Sequence, residues 1–201
     1  MKLKFQKELK GGKPTGFAEK ILAGLYIKAK NSKEKELLKE WHQRMAKKQI
    51  IEPFLNSIPD RYKRFPPKYH TIRSLKSPID IGDDIEYCIA VSKSKYVEFA
   101  PSKKVLSIQY LRVQKELKEG TIHWGLDISN DKETWFFFYD DIQQLALNNG
   151  FDTAEGLLEY LIPEMPEEGK ALEVKKKLVH WTNLSYPAQA LEDVNSDIAE
   201  K

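Results

Sequence analysis

Apolar positions recur along this chain at two different spacings, and the change falls near residue 65. "GFAEKILAGLYIKA" places Phe17, Ile21, Leu22, Leu25 and Tyr26 three to four residues apart, the repeat that gathers side chains on one face of an α-helix. A second stripe, Leu37, Leu38, Trp41, Met45 and Ile50, runs through "KEKELLKEWHQRMAKKQI", with Ser32 as the predicted N-cap and Lys, Glu and Arg on the other face. From Pro66 onward the spacing shortens. "IEYCIAV", "YVEFA", "VLSIQYLRVQ" and "TIHWGLDIS" are β-branched or aromatic runs separated by turn residues, and they predict a compact sheet or small barrel.

Shorter elements flank these blocks. "KLKFQ" predicts an opening strand, closed by the turn signals Gly11, Gly12, Pro14 and Gly16. Helical spacing returns in "DDIQQLALNNG", where Ile142, Leu145 and Ala146 face inward and Gly150 ends the helix. It returns again in "FDTAEGLLEYLIP", with Asp152 or Thr153 as cap and Pro163 as stop. "LEVKKKLVHWTNLSY" predicts a last strand, followed after Pro187 by a polar tail expected to lack order. The fold class is therefore α+β, with one main domain in 201 residues.

Charge adds an asymmetry to this picture. Residues 1–76 carry 20 Lys/Arg against 7 Asp/Glu, whereas residues 77–201 carry 13 against 23. A basic first part suits a surface that meets polyanions or an acidic partner; the plainer reading is two solvated faces that attract one another. No run approaches the roughly 20 apolar residues that span a bilayer, and the N-terminal residues lack an apolar leader core, so a cytoplasmic protein without membrane contact is expected.

Candidate chemistry is sparse. Cys88, the only cysteine, sits in an apolar strand-like run, which favours a buried structural thiol over a nucleophile. His42, His70, His123 and His180 have no metal-ligand spacing, so no metal and no cofactor is expected. Asp140 and Asp141 begin a helix, where carboxylates meet the N-terminal dipole and cap it. "LKGGKPTG" lacks the spacing of a phosphate-binding loop. Trp124, Trp135, Phe136, Phe137, Phe138, Tyr139 and Trp181 include enough aromatic surface to stack bases, although a small barrel needs most of them inside.

The most concentrated chemistry is "PPKYHTIRS". Together with "IDIGDDIEY" and "IQQLALNNGFDTAEGLLEYL", in this order, it resembles the ASCH family, whose barrel is similar to the RNA-binding PUA domain. The family pairs a K-x-x-T-I-R strand entry with a G-D-x-I strand start and a later helix turn ending in Gly-Phe. In small members an "ILAG" helix end runs almost directly into that entry, whereas here Ile21–Gly24 is followed by residues 25–64 before Lys68 comes close. The resemblance thus implies a PUA-like barrel domain from 1–24 and 65–186, a basic helical insertion at 25–64, and a flexible tail at 187–201. Chains resembling this one throughout are often carried by phages and prophages.

The resemblance also implies a cleft for RNA or a nucleotide-like ligand, lined by Lys68, Thr71, Arg73 and Asn149. Some small family members are amidohydrolases acting on acetylated cytidine. Carried over, Thr71 would be the nucleophile and Lys68 its base, and a buried lysine beside Arg73 could have the depressed pKa that role requires. Where the resemblance places the family's carboxylate stands Asn149, which cannot relay a proton, so unless Asp152 or another carboxylate substitutes, binding is favoured over hydrolysis. For Lys68 to share a site with Thr71 it must lie in the loop before regular pleating begins. A plainer reading pairs Arg73 with Asp83 or Asp84 and leaves Lys68 in solvent. In the insertion, Lys35, Lys39, Arg44, Lys47 and Lys48, with Lys28, Lys30 and Lys33, would extend a phosphate-binding surface. Their interleaving with Leu37, Leu38 and Trp41 makes a docking face for a protein partner the competing expectation.

Overall fold

A computed structural model describes residues 1–6, 15–51, 67–92, 95–137 and 142–187. It is an α+β structure of two sheets and four helices among those residues. Gly11, Gly12, Pro14, Pro66, Phe138–Asp141 and the tail beyond Pro187, for which the sequence carries expectations, lie outside the described residues.

The first sheet has the order β1–β3–β4. Strand β1 (Lys2–Phe5) runs parallel to β3 (Asp84–Ala90), and β3 is antiparallel to β4 (Tyr96–Lys104). Helices α1 (Phe17–Ile27) and α2 (Ser32–Lys47) cover it, and Leu3, Phe5, Ile21, Leu25, Leu38, Met45, Tyr87 and Phe99 form its core. The α2 cap is Asn31, whose side chain accepts from the Glu34 N–H at 2.9 Å. Ser32, the predicted cap, is instead the first helical residue, because the Asn31 amide oxygen one position earlier already takes the Glu34 N–H.

The second sheet has the order β2–β8–β5–β6–β7 and is antiparallel throughout. Its strands are β2 (His70–Ser74), β5 (Ser107–Lys118), β6 (Thr121–Ser129), β7 (Phe136–Phe137) and β8 (Ala171–His180). Helices α3 (Ile142–Asn148) and α4 (Ala154–Leu161) pack Leu145, Leu157 and Leu161 against Leu111, Val113, Leu126, Ile128 and Leu178. The side chain of Thr153 caps α4, accepting from the Gly156 N–H at 3.0 Å, and Gly150 supplies the left-handed residue (φ 84°) after α3.

Two expectations are corrected here. The described strands do not close into a barrel; they form two separate hydrogen-bonded sheets, joined by the turns around Gly82 and Val105 and by Leu106 N–H to His180 C=O at 2.9 Å. The last strand also stops at His180. Trp181 turns into the first core and Tyr186 into the second, so the segment after β8 ties the two cores together rather than extending the sheet.

Residues 25–51 are built into the first core, since Leu38 and Met45 are fully buried there. The helical stretch is basic only on its solvent side. Among the described residues, no helix is long and apolar enough to cross a membrane.

Candidate functional site

Lys68 and Tyr69 lie just before β2, held from both sides by main-chain bonds: Lys68 N–H to Lys20 C=O at 2.8 Å, and Tyr69 N–H to Asn148 C=O at 3.0 Å. Gly24 permits this approach, because a Cβ there would stand 2.5 Å from the Lys68 carbonyl oxygen. Lys68 is thus in the loop before pleating begins, and its side chain is free of strand alternation. Thr71 and Arg73, two residues apart on β2, share a face.

These three side chains line one cavity of about 130 Å³, together with Asn149. Its walls include Phe5 from β1, Phe17 from α1, Phe151 after α3 and Tyr160 from α4; Lys4 and Gln6 add polar groups. The aromatic rings support one another, with Phe17 and Phe151 edge to face at 6.2 Å and Phe151 and Tyr160 at 5.2 Å between centroids.

Lys68 is buried, its amine donating to the Asn149 carbonyl and lying 4.9 Å from the Phe17 ring centroid. Burial, then the positive charges of Arg73 and Lys20, hold its pKa well below the ordinary lysine range. No carboxylate lines the cavity among the described residues. Asp152 instead meets the Lys20 amine at 3.3 Å, and that amine also donates to Gly150 C=O at 2.6 Å. Lys20 therefore stands behind Lys68 as a second, separately held cation.

Arg73 does not pair with Asp83 or Asp84. Asp83 accepts from the Asp80 N–H at 2.9 Å and Asp84 meets Lys104 at 3.2 Å. One Arg73 nitrogen, Nη1, donates to Lys4 C=O at 3.2 Å, and the guanidinium stacks 4.9 Å from the Phe5 centroid. Its Nε and Nη2 are shielded and have no hydrogen-bond partner among the described residues. Burial lowers its pKa.

The Asn149 side chain is committed to the protein. Its Nδ2 donates to Leu145 C=O at 3.0 Å, which leaves Oδ1 to accept from His70 Nδ1–H at 3.1 Å. Lys68 meets the main-chain carbonyl of Asn149, not its side chain. With Nδ1 protonated, neutral His70 accepts the Tyr186 hydroxyl hydrogen at Nε2, 2.6 Å away, and that hydroxyl accepts from Asn148 Nδ2 at 2.9 Å. Burial, His180 and Lys68 all push the His70 pKa well down, while Asn149 opposes them. His180 packs on His70 at 5.0 Å between ring centroids, with both ring nitrogens lacking a partner. Burial lowers its pKa to about 4. Sequence reasoning gave His70 no role. Its position opposite His180 depends on the β2–β8 register, which no local signal carries.

The aromatic walls were also missed, although a signal exists: Phe17 and Phe151 each follow a glycine in the left-handed region, Gly16 and Gly150. The basic residues of α2 do not line the cavity. Lys39 pairs with Glu36 at 3.0 Å, Arg44 stacks on Trp41 at 3.7 Å, Lys35 lies over Tyr26 at 5.6 Å, and Lys47 and Lys48 are exposed. Leu38 is in the core, so of the expected docking stripe only Leu37 is exposed and Trp41 half-buried. Cys88 is buried, and burial raises its thiol pKa. Among the described residues no group of three His, Cys, Asp or Glu side chains is placed to hold a metal.

Comparison with protein-family models, with curated proteins and with solved structures found no match.

Proposed function

We propose that this chain is an ASCH-like protein of PUA-related architecture whose Lys68–Thr71–Arg73 cleft binds a nucleotide-like ligand, either free or as an exposed nucleotide of single-stranded RNA. The observation that carries the reading is the combination of four aromatic walls with lysine and arginine side chains and, among the described residues, no carboxylate in one cavity. Aromatic faces accept any base by stacking, and cations accept its phosphates. A dry cavity of about 150 Å³ takes one benzene ring, so about 130 Å³ suits a single-ring base rather than a duplex. Exposed Lys47, Lys48 and Arg44 would meet backbone phosphates outside the cleft.

A fluorescence-anisotropy titration of labelled single-stranded RNA, competed with a free pyrimidine nucleotide, tests this. Binding that Lys68→Ala weakens and the nucleotide displaces is expected. RNA binding indifferent to both changes would refute the cleft as the site.

A second reading has its own support. Lys68 has the lowered pKa of a general base and shares the cavity with Thr71, which suits an amidohydrolase acting on acetylated cytidine-type nucleosides. Against it, Asn149 spends its amide on His70 and Leu145. Release of acetate that disappears in Thr71→Ala would make hydrolysis the function.

A further inference from the structure

Arg73 carries five N–H donors, and among the described residues it places only Nη1 on a protein acceptor. The two nitrogens left over, Nε and Nη2, form the flat edge of the guanidinium that grips a carboxylate or phosphate through two parallel bonds. Leaving such an edge shielded and unpaired is costly, so its natural complement is an oxyanion from outside the protein. Three further features agree. Phe5 fixes the guanidinium plane from below, at 4.9 Å. Lys4 and Lys68 line the same cavity, with Lys20 behind them. No acidic side chain of the described residues lines the cavity to compete for the edge.

We infer that Arg73 is a built oxyanion seat: the ligand presents a flat ring to the aromatic walls and a phosphate or carboxylate towards which Arg73 turns its Nε–Nη2 edge, shielded in the unliganded protein. The inference rests on the proposal that this cleft is the ligand site, and it narrows the nucleotide-like ligand of that proposal to an anionic ring compound held by its oxyanion at Arg73, a mononucleotide first. Neutral nucleosides lack the group that satisfies Arg73.

Isothermal titration of the full chain with cytidine, cytidine monophosphate and benzoate separates the possibilities. In wild type the monophosphate is expected to bind at least about tenfold tighter than cytidine, the value of one charge-assisted pair. Arg73→Gln is expected to erase that difference, so that the variant binds the monophosphate no tighter than it binds cytidine. Arg73→Lys, which keeps the charge without the fork, is expected to recover only part of it. Arg73→Gln gives up the Nη1 bond to Lys4 C=O but also removes a half-buried charge, so the melting temperature of the unliganded variant should stay near that of wild type, which guards against misfolding as the cause. Equal affinity for cytidine and its monophosphate in wild type would overturn the oxyanion seat and leave the nucleoside reading standing. Arg73-dependent binding of benzoate without either cytidine compound would uphold the seat with a carboxylate as its source and sink the nucleotide reading. No binding of any of the three would overturn both.

Discussion

Replacing Gly24 with alanine sets two physical effects against each other, and their balance reports directly on how the site is built. In an exposed helix interior the change should stabilise by about 1 kcal/mol, because glycine gives up more backbone freedom on folding than alanine does. Here the new Cβ would stand 2.5 Å from the Lys68 carbonyl oxygen, 3.2 Å from its carbon and 3.2 Å from a Tyr69 ring carbon. Two of these are main-chain atoms, so no rotamer change relieves the collision. Either α1 or the 68–69 segment must move by several tenths of an ångström. Such overpacking costs typically about 1–3 kcal/mol, and loss of the Lys68 N–H to Lys20 C=O bond adds about 1 kcal/mol. The helix-propensity gain offsets part of this. A net destabilisation of about 1–3 kcal/mol is expected, a fall of roughly 2–12 °C in melting temperature for a chain this size. Urea denaturation at pH 7 measures it, and titration with the cleft ligand measures the accompanying displacement of Lys68. A Gly24→Ala protein as stable as wild type, or more so, would refute the claim that this glycine exists to seat the Lys68 backbone.

The remaining expectations follow from burial and charge. His180 has a folded pKa of about 4 against an ordinary 6.5, so its contribution is complete above pH 6.5 and is lost as pH falls towards 4. The loss from this residue alone is about 3 kcal/mol, and His70, shifted the same way, adds to it. Urea midpoints at pH 7 and pH 4.5 should differ accordingly, and a wild-type midpoint flat between them would contradict the buried neutral pair. Lys68→Met removes a desolvated amine whose folded pKa is depressed, so it should leave stability at pH 7 unchanged or raised while abolishing ligand binding. A large drop in melting temperature would instead make Lys68 a structural pin through Asn149. Asn149→Asp replaces a donor to Leu145 C=O with a buried carboxylate, at a cost of about 1–3 kcal/mol; thermal melting checks this, and no loss would mean that Lys68 or His70 takes up the new charge.

Much of the fold was legible because it rests on short-range periodicity. The stripe Phe17, Ile21, Leu22, Leu25 produced α1, and the alternation in "VLSIQYLRVQ" produced β5, whose Leu111 and Val113 point inward. The left-handed glycine after α3 was equally readable, and the cap of α4 was narrowed to Asp152 or Thr153, of which the structure uses Thr153, since each acts within a few residues. The placement of Lys68 ahead of the pleat was also anticipated, as the condition for its sharing a cavity with Thr71.

Sequence by itself thus determined the elements, their amphipathic faces and the cationic side chains gathered around "PPKYHTIRS", because helix and strand periods and turn chemistry are local. Only the tertiary structure decided that the strands form two sheets rather than a closed barrel, since strand partnership is chosen by long-range packing. It likewise decided that Arg73 has no acidic partner among the described residues, that Asn149 faces His70, and that Phe5, Phe17, Phe151 and Tyr160 converge on one cavity. Each of these depends on groups separated by tens of residues meeting at ångström precision. No pattern along the chain encodes those distances; they emerge from the whole set of packing and hydrogen-bonding demands satisfied together.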